Sequence, residues 1–155
     1  MIKVIPAERE HCAQLAPILR EIDKQELSAS MPIFDTARQL KVCFNLSDIT
    51  YSVVDDELGC IAMFGIRDYG EATGIPWMLS SGYFMDNHGR RFVKECGEHL
   101  EKLSSPFSFL FNYISVENHV CIRWLTWLGF TVHKDKKYMV GEHPFYLFTK
   151  EVNHV

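Results

Sequence analysis

Residues 111–130, FNYISVENHVCIRWLTWLGF, decide the fold. The run from Phe109 to Val116 is rich in aromatic and β-branched residues, the composition of a central strand. Asn118 follows as an N-cap, because its side-chain oxygen can accept a free amide of a first helical turn. Gly129 supplies the left-handed residue that closes a helix. Between them His119, Arg123 and Thr126 fall at i, i+4 and i+7 and form one narrow polar stripe. Val120, Cys121, Ile122, Trp124, Leu125, Trp127 and Leu128 cover the rest. The pattern predicts a helix buried on nearly all sides, with one edge left for water or a ligand.

Working outward, the same periodicities assign most of the chain. Ile2 to Ile5 is a short strand. Glu8–Ala16 and Pro17–Leu27 read as one helix interrupted at Pro17 or as two short helices, since proline is tolerated only at a first helical position. Asp35 caps a further helix carrying Ala37, Leu40, Val42, Phe44 and Leu46. Tyr51–Val54 and Cys60–Ile66 flank the turn Asp55-Asp56-Glu57-Leu58-Gly59 as a hairpin. Ile75–Ser80 is a strand with Pro76 near its start. Gly82–Gly89 is expected to be a loop, and Arg90–Leu103 a helix with Phe92, Val93, Cys96, Leu100 and Leu103 inward. Thr131–Val140 and Phe145–Lys150 close the chain as a hairpin. The order is βααβββαβαββ, an α+β chain with a mixed sheet, read as one domain over residues 1–155.

Composition narrows the function classes. The 155 residues can bury a real core, and 47% are apolar, which excludes intrinsic disorder. A net charge of −4 argues against general nucleic-acid binding. No apolar run approaches the roughly 18 residues of a membrane span, and the N-terminus reads as a strand, not a signal peptide. The expectation is a cytoplasmic chain. Cys12, Cys43, Cys60, Cys96 and Cys121 are odd in number and lack CxxC spacing, so they read as reduced core residues. The seven histidines are dispersed, and no metal is expected.

Asn118, Cys121, Trp124, Leu128, Gly129 and Phe130 resemble the second signature block of the GNAT (Gcn5-related N-acetyltransferase) fold: Asn, a small residue three on, an aromatic or Leu–Tyr pair, then Leu-Gly-Phe. The close match covers about twenty residues; the element order matches more loosely. Leu125 departs from it, standing where many GNAT enzymes carry a tyrosine. Within the fold, Asn112-Tyr113, Val116, Asn118, Ile122-Arg123, Leu125, Gly129 and Leu147-Phe148-Thr149 look like the small GNAT-like internal virion protein of T7-like phages.

The resemblance implies acetyl-CoA as cofactor and an amine acceptor on a small molecule, peptide or protein. In the family a glycine-rich loop before a helix cradles the coenzyme pyrophosphate, since helix-start amides and the dipole favour an anion. Here that region is Ser80, Ser81, Asn87, His88, Gly89, Arg90 and Arg91, with Gly89 alone standing for the run of glycines. A solvated surface turn is the plainer reading. Asn118 is implied beside the cofactor arm, or is simply a cap. Amine acetylation needs a base for the amine and an acid for the departing thiolate. Leu125 cannot be that acid. Tyr113, Tyr138 and Tyr83 are acid candidates by residue type only, and Glu71, Asp68 and Asp86 base candidates. Trp77, Trp124 and Trp127 read as core or pocket walls. Two functions follow: an N-acetyltransferase, or a non-catalytic phage protein that acts in the virion, in its assembly or on a host factor, in either case inside a bacterial host.

Overall fold

The structure, a computed structural model, describes residues 1–152; the side chain of Cys96, expected on the inner face of its helix, lies outside the described residues. The chain runs β1 (Ile2–Pro6), α1 (Arg9–Leu15), a 3₁₀ turn (Ala16–Ile18), α2 (Glu21–Ser30), α3 (Thr36–Leu46), β2 (Ile49–Asp55), β3 (Gly59–Gly70) and β4 (Thr73–Ser80). It continues through α4 (Gly82–Ser104), β5 (Phe109–Ser115), α5 (His119–Trp127), β6 (Thr131–Val140) and β7 (His143–Glu151). The strands form one mixed sheet of order β1-β2-β3-β4-β5-β7-β6. Every neighbouring pair is antiparallel except β4 and β5.

Strand alternation sends side chains to two apolar layers. Met63 packs with Cys12, Leu15, Leu40 and Leu79 under α1 and α3. Phe64 and Ile66 join Phe84, Phe92, Leu110, Ile122 and Phe148 under α4 and α5. β5 is an interior strand, as its composition predicted, held by β7 along its whole length from Phe109 to Ser115.

The local signals read from sequence act as expected at several ends. Asp35 Oδ1 accepts the Arg38 amide at 2.8 Å and starts α3. Asp55 Oδ1 accepts the amides of Glu57 and Leu58 and ties the β2–β3 turn. Gly129 has φ +91°. The Phe130 amide donates to Leu125 O and the Gly129 amide to Thr126 O, the paired bonds of a Schellman closure.

Four expectations are corrected. Of the two readings around Pro17 the structure takes the two short helices, so three α-helices, not the two of the expected order, separate β1 from β2; the chain breaks at the 3₁₀ turn holding Pro17 and restarts only at Glu21. Gly82–Gly89 is helix, not loop. Ser81 Oγ accepts the Phe84 amide at 3.1 Å, and Phe84 is fully buried, so the inward stripe of α4 begins at residue 84. The helix α5 is not buried nearly all round: only Ile122 is fully enclosed, and Val120 and Trp127 face solvent. Trp127 is 72% exposed and is no core wall. Finally, Asn118 does not cap α5 with its side chain.

Gly89 has a packing role. A Cβ there would lie 2.9 Å from Trp124 Cζ2, so α4 and α5 approach this closely only across a glycine. Gly97, on the same helix, has nothing within 4 Å of an added Cβ. We expect Gly97→Ala to stabilise the protein by about 0.5–1 kcal/mol, the helix-propensity gain. Gly89→Ala should destabilise it by roughly 1–3 kcal/mol through overpacking, despite the same propensity gain. Urea denaturation of both variants checks this; two stabilised variants would mean that Trp124 has room to move.

Candidate functional site

The site begins with a failure of strand pairing. β4 and β5 share only two register positions, Thr73↔Phe109 and Gly74↔Leu110, although β4 runs on to Ser80 and β5 to Ser115. At Gly74 an added Cβ would meet Ile66 at 2.7 Å and Leu110 at 3.0 Å, so the strands close there because the residue is glycine. Beyond it they part. Pro76 brings no amide to the ladder, and the Asn112 side chain reaches across to donate to Pro76 O at 2.8 Å.

Helix α2 supplies the polar partners that the parted strand ends lack. On the β4 side, the Arg20 amide donates to Ser80 O at 3.0 Å, and the Ser80 amide donates to Asp23 Oδ2 at 3.1 Å. Arg20 grips Asp23 through Nε and Nη2 at 3.0 and 2.9 Å, and Nη2 also reaches Cys121 Sγ at 3.4 Å. On the β5 side, Glu26 Oε1 accepts the Ser115 amide at 3.2 Å and Asn118 Nδ2 at 3.0 Å. Asp23 and Glu26 are three residues apart and therefore share one face of α2. Asn118 is 4% exposed, and its carboxamide is drawn to Glu26, which explains why it does not cap α5.

Between the parted strands lies a cavity of about 370 Å³. Its walls come from both apolar layers: Leu27, Met31 and Trp77 on the α2–α3 side, Phe92, Leu103 and Leu125 on the α4–α5 side. It therefore passes through the sheet at the gap. Glu26 is the one ionisable carboxyl among its described lining residues. Burial pushes the Glu26 carboxyl up to about 7, with Asp23 adding to the rise and the bonds from Asn118 and Ser115 opposing it. Burial also raises Asp23, against the pull of Arg20 and the Ser80 amide. The Cys121 thiol is pushed up to about 11 by burial despite Arg20, so it stays protonated and is not a nucleophile.

The residues named from sequence scatter around this centre. Asn118 and Tyr113 line the cavity. Tyr138 packs edge-on against Tyr113, ring centroids 5.3 Å apart, with Lys136 Nζ over its ring at 4.8 Å. Ser80 has its amide and carbonyl committed to α2, and its hydroxyl is buried with no hydrogen-bond partner among the described residues. Ser81 caps α4 and donates its amide to Ile61 O at 2.9 Å. Asn87, His88, Gly89, Arg90 and Arg91 sit inside α4, not at its start. Their amides belong to the helix ladder and cannot form an anion cradle. Asn87 Nδ2 donates to Tyr83 O, His88 packs against Tyr83 and Phe84, and Arg91 pairs with the exposed Glu95 at 3.1 Å. Arg90 and Asp86 are exposed. Glu71 is exposed at the β3–β4 turn with φ +53°, and Asp68 Oδ1 binds the Gly70 amide beside it. That turn is at the paired end of β4, and neither Glu71 nor Asp68 is among the residues that line the cavity.

Sequence reasoning missed Arg20, Asp23 and Glu26. Their signal was present: in REIDKQEL two acids take positions in the stripe that Leu19 and Leu27 mark as inward, where a carboxylate must find partners.

The family model of the Bacteriophage T7 probable scaffold protein Gp13 matches residues 69–137. No curated protein matches the sequence. Among solved structures, Ard1 from Thermoplasma volcanium superposes with a TM-score of 0.72 at 10% identity, covering 99% of each chain. The GNAT-family acetyltransferase from Streptococcus pneumoniae gives 0.66 at 14% identity, over 99% of this chain and 100% of that one. Spermidine N-acetyltransferase from Vibrio cholerae, in complex with CoA and spermine, gives 0.66 at 10% identity, over 97% and 95%. At these identities the likeness is one of fold. The chain has the GNAT fold and resembles the phage family over β4, α4, β5 and α5.

The raised Glu26 carboxyl fixes a pH dependence. Between the usual carboxylate range and about 7 the folded chain holds a proton that the unfolded chain has released. Stability therefore falls as pH rises through that window and levels off above it. Glu26→Gln keeps an acceptor for Ser115 and Asn118 and removes the titration. We expect it to gain roughly 2–3 kcal/mol over wild type at pH 8 and little at pH 4. Urea midpoints across pH check this; parallel curves for the two proteins would exclude a buried, titrating Glu26.

Proposed function

We propose that this chain is a phage-type, acetyl-CoA-dependent N-acetyltransferase acting on an amine, working as one domain over residues 1–155 in the cytoplasm of a bacterial host. The observation that carries this reading is the cavity through the β4–β5 gap, open to both layers of the fold. A thioester arm can enter from the α4–α5 side and an amine from the α2–α3 side, so the two meet without sharing a path. The CoA complex of the spermidine enzyme, which shares the fold, supports the choice of cofactor.

The residues present fit such a group. α4 is a long helix whose N-terminal end favours an anion, and the side-chain cap at Ser81 takes only the Phe84 amide. The Gly82 and Tyr83 amides of the first turn are the ones we assign to the pyrophosphate, in place of those further along the helix. Asn118, buried at the cavity, would lie beside the arm. When bound, acetyl-CoA supplies an acetyl thioester activated towards amines. The chain contributes apolar walls that keep water from it, and the Tyr113 hydroxyl as a proton donor within the cavity. Leu125, also in the wall, donates nothing. A positioned general acid is worth about 10²–10⁴-fold, so turnover is expected to be slow.

The match to the phage scaffold family favours a second reading, a GNAT-fold protein with a virion or assembly role and no catalysis. Coenzyme binding separates the two. In calorimetric titration we expect acetyl-CoA to bind wild type. We expect about tenfold weaker binding to Gly82→Pro, which removes one amide at a helix position that accepts proline, since a hydrogen bond to a charged group is worth about 1.5–3 kcal/mol. Arg90→Ala/Arg91→Ala should bind nearly as wild type does. No binding to wild type would leave the assembly role standing alone.

A further inference from the structure

We propose that the α2 side of the cavity takes a primary amine carrying one charge on an apolar body, and that Glu26 Oε2 is the atom that binds its ammonium group and accepts its proton. This deepens the acetyltransferase reading and rests on it. Glu26 is anchored through one oxygen only: Oε1 takes both the Ser115 amide and Asn118 Nδ2. Oε2 has no hydrogen bond among the described residues, yet it is not among the sealed, unpartnered polar atoms. The carboxyl lines the cavity. One oxygen is thus fixed, and the other is accessible and takes no bond within the described residues.

The rest of the lining sets the acceptor's character. Around Glu26 the α2–α3 wall is Leu27, Met31, Cys43 and Trp77, and no second acid or base joins it among the described residues. Arg20 and Asp23 neutralise one another through two bonds and do not line the cavity. A monoamine finds one partner for its charge and apolar walls for its body. A diamine would strand its second charge in an apolar wall, which is costly.

The step itself is a proton transfer. An N–H bond of the ammonium breaks, its electron pair stays on nitrogen as the lone pair an acylation needs, and the proton goes to Oε2. The proton then leaves to water. Desolvation in the cavity lowers the ammonium pKa while it raises that of the carboxyl, which narrows the gap between them. The groups facing Glu26 are Asp23 and Arg20 from its own helix, Cys121 and Asn118 from α5, and the Ser115 amide from β5. Cys121, at about 11, does not titrate between pH 5 and 8. Asp23 is separated from Glu26 by substitution.

The test is binding, so it needs no turnover. Hexylamine, 1-hexanol and 1,6-diaminohexane are titrated into wild type and Glu26→Gln at pH 8, and into wild type at pH 5, with chemical-shift changes as the readout. We expect wild type at pH 8 to prefer hexylamine over hexanol by tenfold or more, and over the diamine. The preference should vanish in Glu26→Gln, and in wild type at pH 5, where Glu26 holds its own proton. A preference that survives both changes overturns the proposal, as does hexanol binding as tightly as the amine, or a diamine binding as tightly as hexylamine. The amide of the tripeptide Leu-Ala-Ala, run alongside, separates a chain terminus from a free monoamine as the source of the amine; a Glu26-dependent preference in either supports the assignment. Acetyl-CoA is titrated into the same sample. Coenzyme binding without amine preference sinks only the role of Glu26. Amine preference without coenzyme binding keeps the Glu26 site and removes the acetyltransferase reading.

Discussion

Everything at this site depends on two parallel strands that stop pairing after Gly74. A parallel pair leaves a ladder of amides and carbonyls on each strand, and those groups cannot remain buried and unmet. If β4 and β5 zipped to their ends there would be no cavity. They part because Pro76 lacks a donor and because other groups compete for the freed positions. Asn112 takes Pro76 O, Arg20 and Asp23 take both backbone polar groups of Ser80, and Glu26 takes the Ser115 amide. The helix α2 thus acts as a wedge with hydrogen bonds on both edges.

The wedge explains why acids occupy an inward helix face. A neutral side chain at 23 or 26 could accept the same amides, but a carboxylate makes stronger bonds. The cost is desolvation, and the two acids meet it differently. Asp23 has a guanidinium held in a two-point grip and is thereby locked. Burial lifts the Glu26 carboxyl to about 7, opposed chiefly by an amide and a carboxamide, both neutral; burial raises Asp23 as well, but against a bonded guanidinium. One acid fastens the strand; the other remains chemically available. The difference follows from where the arginine sits, not from the acids themselves.

The sequence revealed the frame more fully than the site. The hairpin strands flanking the turn Asp55–Gly59, the helix cap Asp35 and the closing glycine 129 are short-range devices, and each reads locally. The α4 start was misread because Gly82, Asp86, Asn87 and Gly89 have turn composition. Burial of Phe84 and close packing of Gly89 on Trp124 outweigh that composition, and both are tertiary facts. Asn118 was legible as important but not for the right reason: its partner, Glu26, lies 92 residues away. Trp127 reads as inward by its type, and its exposure in the fold, a tertiary fact, corrects that. Arg20, Asp23 and Glu26 were hidden because pairing of a helix acid with a distant strand end leaves no local pattern beyond an acid in an apolar stripe.

This division bears on what the family likeness can say. The phage-family match runs from residue 69 to 137 and takes in both parted strands, α4 and α5. It begins well after α2. The part of the cavity that would accept a coenzyme arm thus lies in the matched region, and the part that carries Glu26 lies outside it. A chain could keep the gap for architectural reasons, since β4, β5 and α5 are also the middle of the core. Glu26 makes its bonds to Ser115 and Asn118 through Oε1 alone, which a glutamine there would equally provide. The ionisable carboxyl in the cavity wall, and not its wedge bonds, is therefore what residue 26 adds beyond architecture on the α2 side of the sheet.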